Sequence, residues 1–148
     1  MLDEKATFLR FGKSFQENLC QLMLDDRPFC DQVSEVIDTS FFELKYLQVF
    51  IEVLLAYREK YRSHPNHEIM MTELKSGMQN QDKVVADQVR HFYARIYNSE
   101  GVQEADYVKD KAIDFCRKQT LKGAMMKSVK LLKSSSFDEI SKVIEDAM

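Results

Sequence analysis

The residues that first suggest chemistry are Gly12, Lys13 and Ser14, because a glycine, a lysine and a hydroxyl residue in this order close the loop that binds nucleotide phosphates. That loop also requires another glycine five residues before the one at its end, which here is position 7. The loop also follows a buried strand. Thr7 occupies that position, and no apolar strand precedes it. We therefore predict no nucleotide site in this chain and interpret Ser14 as the cap of a helix.

Neither the histidines nor the cysteines show the spacing of a metal site or a nucleophile. His64 and His67 flank a turn that contains Pro65, and His91 lies on a different predicted helix, away from any cysteine or carboxylate cluster. The odd number of cysteines, without a C-x-x-C pair, is typical of small buried side chains in a reducing compartment. We expect no catalytic residue, no cofactor and no metal in this chain. The cysteines are Cys20, Cys30 and Cys116.

One stretch, residues 117–133, carries cations and no acid. It fits two interpretations: a solvated helix face that complements the negative end of the helix dipole, or a contact surface for an acidic partner or for nucleic acid. No aromatic residues alternate with the cations, which favours the solvated face. Arg117 points into the predicted apolar stripe and should pair with a carboxylate between helices. The candidate contact residues are Lys118, Lys122, Lys130 and Lys133.

Composition predicts an all-α protein. The 148 residues include only four glycines and two prolines, and 45% are hydrophobic, so the chain can bury a core. The net charge of −3 argues against a surface that binds nucleic acid without specificity. The longest apolar run is short and contains Glu52, and the start lacks the basic residues of a signal peptide. We expect a cytoplasmic protein without a membrane partner.

Helical periodicity and turn residues divide the chain into three parts: a flexible arm over 1–13, a compact helical bundle over 14–101 and a C-terminal helical hairpin over 102–148. The hairpin consists of a long helix, a break at Ser134-Ser135-Ser136 and a second helix that starts near Phe137. That helix reaches Met148 without a stop signal, which indicates a longer parent protein. The helices predicted in the bundle span residues 14–24, 28–36, 44–62, 67–75 and 82–98.

The hairpin should use one apolar stripe to fold on itself and leave other apolar residues for a second chain. Gly123 would lie on the outer side, where a close helix approach offsets its low helix propensity. The alternative is that the remaining apolar residues pack on the bundle. The predicted hairpin core is Leu121, Ala124, Leu131, Ile140 and Ile144. The predicted interface is Gly123, Met125, Met126, Val129 and Leu132.

The order of these features resembles the N-terminal domain of DnaB-like replicative helicases, and most closely the type carried by tailed phages. The resemblance covers residues 15–148, and its end is the most diagnostic part. The matching segments are 15–19, 24–29, 37–42, 57–61 before Pro65, 68–74, Tyr107-Val108, Phe115-Cys116-Arg117, 121–132, 137–140 and 144–147.

The resemblance implies a role in assembly rather than a reaction. In that family the N-terminal domains pair through their hairpins, build a collar on a hexameric ring and contact primase or a loader. ATP and magnesium belong to the motor domain, whose motifs are absent from this chain. The expected function is therefore a non-catalytic collar domain that binds itself, primase or a loader, and DNA only weakly. The alternatives are a free-standing helical adaptor, which could be encoded by a phage, and a nucleic-acid-binding module.

Overall fold

The prediction of an all-α fold is confirmed. The computed structural model describes residues 6–134 and 137–148, and every regular element in these residues is helical. Two short 3-10 helices, Phe8–Phe11 and Thr39–Phe41, accompany the α-helices. No helix in the described ranges is both long and apolar enough to cross a membrane. The α-helices are α1 (Lys13–Asp25), α2 (Arg27–Val33), α3 (Lys45–Tyr61), α4 (His67–Gly77), α5 (Lys83–Tyr97), α6 (Ala105–Lys133) and α7 (Phe137–Ala147).

Helix α3 is the centre of the bundle, as its broad apolar face predicts. Leu47, Phe50, Ile51 and Leu54 are fully buried. Helices α1, α4 and α5 pack against α3, which excludes water from three sides of it. The apolar pattern of this helix continues in the sequence to Tyr61, but Tyr61 lies in the last turn and is exposed.

The N-terminal 3-10 helix belongs to the core, which corrects the prediction that residues 1–13 form a flexible arm. Phe8 is 0% exposed, and its ring lies 4.8 Å from that of Phe115 and 5.1 Å from that of Phe42. Phe11 stacks on Phe15 at 4.5 Å. Aromatic packing of this kind stabilises a short element that has little intrinsic propensity. The prediction for residues 1–5 falls outside the described residues.

The start of α1 also differs from the prediction. The helix begins at Lys13 behind Gly12, whose φ of 90° places it in a region that favours glycine, and Ser14 is not the cap. Glu17, three residues after Ser14, accepts hydrogen bonds from Tyr46 at 2.5 Å and from Arg95 at 2.9 Å. These contacts join α1 to α3 and α5.

Side-chain caps explain the starts of α2, α4 and α5, whereas α3 and α6 begin without one. Asp26 accepts a hydrogen bond from the backbone N–H of Phe29 at 3.0 Å, and Pro28 follows in the first turn of α2. Asn66 caps α4 through Ile69, and Asp82 caps α5. The sequence breaks therefore lie where the helices start.

Helix α6 begins inside the bundle and leaves it. Its first half buries Val108, Ala112, Phe115 and Cys116 and packs on α1 and α2. The predicted boundary at residue 101 is therefore wrong, because half of the long helix completes the core. The second half continues beyond the bundle and packs on α7, which confirms the hairpin. Of the predicted serine break, Ser134 follows α6, whereas Ser135 and Ser136 lie outside the described residues.

Candidate interaction surface

The second half of α6 exposes a continuous apolar surface. Five of its large side chains are between 44% and 57% exposed, whereas Val108, Ala112, Phe115 and Cys116 of the first half are buried. Soluble monomers seldom expose contiguous apolar side chains without a use for them. We call this surface the α6 apolar face: Leu121, Met125, Met126, Val129 and Leu132.

The α6 apolar face has a shallow depression with cations on its border. The depression encloses about 400 Å³ and is lined by Leu121, Met125, Met126 and Val129 together with Lys118 and Lys122. The lysine stems can extend along apolar surface while their ammonium groups stay in water. The surface is therefore apolar in the middle and basic at the edge.

Helix α7 covers another side of α6. A second depression, of about 280 Å³, lies between the two helices and is lined on α6 by Thr120, Gly123, Ala124 and Lys127. Val129 lies about 180° around the helix from Thr120, given 100° per residue. The α6 apolar face therefore points away from α7 and remains uncovered within the described chain.

The predicted hairpin core is only partly correct. Ala124, Leu131 and Ile140 are half-buried, but Leu121 is 44% exposed and Ile144 is 43% exposed. The prediction fails here because it assumes one apolar stripe along α6. The bundle buries one side of the first half and α7 covers a different side of the second half, so no single stripe runs the length of the helix.

The predicted interface separates into two groups. Met125, Met126, Val129 and Leu132 lie together on the α6 apolar face. Gly123 instead lines the depression beside α7, and a Cβ atom built on it meets nothing within 4 Å. The alternative that these apolar side chains pack on the bundle is not what the structure shows.

The four lysines predicted as contact residues on α6 are solvated. Lys118 pairs with Asp114 at 3.1 Å within the same helix. Lys122, Lys130 and Lys133 are exposed, and no carboxylate in the described ranges lies within ion-pair distance of them. Their positive charge is available to a ligand.

Arg117 does not have the predicted position. Its side chain is exposed instead of pointing into an apolar stripe. Among the described residues it forms no salt bridge with a carboxylate. The next residue towards the N-terminus, Cys116, takes the buried position on this turn.

A different ion pair, which the sequence did not reveal, anchors α6 to the bundle. Lys109 Nζ lies 2.5 Å from Asp26 Oδ2 and 5.9 Å from the ring of Phe29. The hydrogen bond from Lys109 lowers the pKa of Asp26, and the backbone N–H of Phe29 adds to this effect. Nothing in the spacing of residues 26 and 109 indicates the contact.

No group of three histidine, cysteine or acidic side chains in the described part of the chain is arranged to hold a metal ion. All three cysteines are buried, as predicted for small core residues. No protein-family model matches the chain, and neither a curated protein nor a solved structure shows significant similarity to it. The candidate function therefore rests on these residues and their geometry.

Proposed function

We propose that this chain is the non-catalytic N-terminal collar domain of a DnaB-type replicative helicase. In this role the hairpin of α6 and α7 joins copies of the chain to one another, and the resulting collar docks primase or a helicase loader. The single observation that supports the assembly role most strongly is the α6 apolar face. The segment order that resembles the helicase family supplies the rest of the proposal.

The chemistry of the face favours a second copy as its occupant. Burying apolar side chains gains about 25 cal/mol for each Å² removed from water. A two-fold pair buries the same patch on both partners and so doubles this gain. Met125 and Met126 have flexible thioether side chains that can adapt to a facing helix.

The lysines at the edge distinguish self-association from other binding. Two identical faces bring Lys118 and Lys122 of both copies near each other, and the resulting repulsion weakens as salt screens it. Added salt should therefore leave self-association unchanged or strengthen it. An acidic protein bound to the same cations would dissociate as the salt concentration rises.

The test is the double substitution Met126→Glu with Val129→Glu. Both side chains are more than half exposed, so the variant should fold with an unchanged melting temperature and become monomeric. Light scattering during gel filtration measures the mass, and circular dichroism follows the melt. A matched control places the same two charges on exposed residues of the turn after α4, as Gln79→Glu with Asn80→Glu.

Two results would contradict the proposal. An oligomer that persists in the Met126→Glu, Val129→Glu variant would place the contact elsewhere. A large loss of thermal stability in this variant, with none in the control, would mean that the face is part of the folded core.

The competing proposal is a free-standing helical adaptor, which would use the same face for another partner. The reading frame after residue 148 distinguishes the two. A linker followed by G-x-x-x-x-G-K-[ST] supports the helicase, because that loop supplies the ATP and magnesium site of the motor. A stop codon supports the adaptor.

A further inference from the structure

A second apolar surface lies apart from the α6 apolar face, between α4 and α5. Both helices pack on α3, and the groove between them encloses about 440 Å³. Its lining shares no residue with the α6 apolar face. The larger apolar side chains in the groove are Met71, Leu74, Met78, Val89, Tyr93 and Tyr97. Met71 is half-buried and Tyr97 is exposed, whereas the others are at most 9% exposed and form the floor.

The groove has the dimensions and surface of a helix-binding site. Met71, Leu74 and Met78 follow the 3-4 spacing of one helix face, and α4 has 11 residues, which corresponds to a length of about 16 Å. A groove of that length accommodates about three turns of a helix. Tyr97 is 53% exposed, so much of its ring is available to an occupant.

The two walls differ in stiffness. Tyr93 on α5 is fixed, because its hydroxyl group donates a hydrogen bond to the carbonyl oxygen of His67 at 2.8 Å. The α4 wall contributes two methionines, whose unbranched side chains repack at low cost. A rigid aromatic wall opposite an adaptable one suits an apolar helix face of variable shape.

Charge indicates which kind of helix fits. Lys75 on α4 and Arg90 on α5 line the groove, and its lining contains no acid. Arg90 also pairs with Asp87 one turn earlier on its own helix, whereas Lys75 has no carboxylate within ion-pair distance in the described ranges. The walls therefore present a net positive rim around an apolar floor.

We propose that this groove binds an amphipathic helix of a partner protein, whose apolar residues enter between α4 and α5 and whose acidic residues lie beside Lys75 and Arg90. This is helix-in-groove recognition, with anchors at positions i, i+3, i+4 and i+7 of the partner. It is independent of self-association through α6 and gives the chain a second docking site at a different place in the fold.

Methionine methyl NMR tests the proposal, because one sample reports on both surfaces. The probe is a synthetic amphipathic peptide of about twelve residues, with leucines at the anchor positions and glutamates on the flanks. Saturable shifts of the Met71 and Met78 methyl signals are expected. The Met125 and Met126 signals on the α6 apolar face should not move.

Charge reversal on the rim gives the matching variant. Lys75→Glu with Arg90→Glu should weaken the peptide about tenfold, because two attractive contacts become repulsive. Lys60→Glu with Lys83→Glu is the control: it makes the same change in net charge at exposed positions outside the lining, and it should leave binding unchanged. Circular dichroism verifies that all variants fold.

Four outcomes would overturn the proposal. The first is that adding the peptide shifts only the Met125 and Met126 signals. The second is that both double variants weaken peptide binding equally. The third is that the Met71 signal shifts on dilution without peptide, which would make a second copy the occupant. The fourth is saturable binding of lauric acid without binding of the peptide, which would make the groove a site for acyl chains.

Discussion

His64 and His67 both bind the last turn of α1, but their δ nitrogens have opposite hydrogen-bonding roles. His64 Nε2 lies 2.7 Å from the carbonyl oxygen of Leu24 and must donate, while its Nδ1 accepts from Arg58 at 2.6 Å. His67 Nε2 lies 2.9 Å from the Asp25 carboxylate. Its Nδ1 lies 3.1 Å from the hydroxyl oxygen of Tyr93, a group whose proton is already donated to a carbonyl.

The two histidine rings therefore make different hydrogen bonds, and neither could replace the other in its position. The contacts of His64 require the tautomer with the proton on Nε2, whereas both nitrogens of His67 face an acceptor. Helix α3 ends at Tyr61, where Arg62 takes a left-handed conformation, and Pro65 lies in the connection between the two rings. Together the rings attach the α3–α4 connection to the end of the first helix.

The first prediction concerns the tautomer of His64. Long-range nitrogen–proton correlation spectra at neutral pH should show Nδ1 as the unprotonated nitrogen of this ring. Arg58→Met should remove the donor to Nδ1 and change the Nδ1 shift, while Lys60→Met, at an exposed position nearby on α3, should not. A proton on Nδ1 would contradict the hydrogen bond from Arg58 to this nitrogen.

The second prediction concerns the N-terminal 3-10 helix. Phe8→Ala should lower the free energy of unfolding by about 3–5 kcal/mol, because it removes a buried ring from the centre of an aromatic cluster. Leu9→Ala is the control, since Leu9 is 63% exposed and its truncation should change stability by less than about 0.5 kcal/mol. Equal effects of the two substitutions in urea melts would contradict the burial of Phe8 and support the prediction of a flexible arm.

The third prediction concerns alkaline pH. Burial raises the pKa of the Cys116 thiol to about 12 and that of Cys30 to about 11. These thiols stay protonated in the folded state while they ionise in the unfolded chain. Their contribution to the free energy of unfolding is therefore intact below the unfolded pKa near 9 and is lost as the pH rises towards the folded pKa.

The measurement compares the parent chain with Cys116→Ala in urea melts under reducing conditions. Below about pH 8 the free energies of unfolding of the two proteins should differ by a constant amount, which is the cost of the cavity that the substitution leaves. Between about pH 9 and 11 this difference should shrink on the order of 1 kcal/mol or more, because only the parent carries the thiol. A difference that stays constant over this range would show that Cys116 is accessible to water.

The fourth prediction concerns the basic residues of α6. Single-stranded DNA should bind weakly and dissociate in salt, because the lysines are solvated and no aromatic side chains alternate with them. Changing Lys122, Lys130 and Lys133 to glutamine should reduce the salt slope by roughly one unit for each lysine that binds a phosphate. The same change at Lys45, Lys60 and Lys83 is the control. Tight binding at physiological salt would favour a nucleic-acid module over the collar.

Much of the fold is predictable because helix breaks have local causes. Asp26, Asn66 and Asp82 each cap a helix from a position that the turn residues mark in the sequence. Apolar residues also recur at helical spacing along α5, and Val89, Phe92 and Ile96 are all buried. In these elements one face meets the core along the whole helix, so periodicity alone is sufficient.

The rest depends on contacts that are distant in sequence. The sequence alone puts Phe8 in an arm because the ring nearest to it in space belongs to Phe115, more than a hundred positions away, and Phe42 lies on a different element. It puts Leu121 in the hairpin core because a pattern cannot show which side of α6 faces α7. The pairing of Lys109 with Asp26, and the groove between α4 and α5, arise only when helices meet.

The continuity of α6 has a further consequence for how the chain can vary. The helix runs for 29 residues without interruption, so Phe115 and Cys116 in the core fix the direction in which Met125 and Val129 point. Inserting one residue between Cys116 and Leu121 would turn the outer half by about 100°, and inserting seven would return it to within about 20°. The phase of this single helix, rather than any contact at the surface itself, sets the direction of the α6 apolar face.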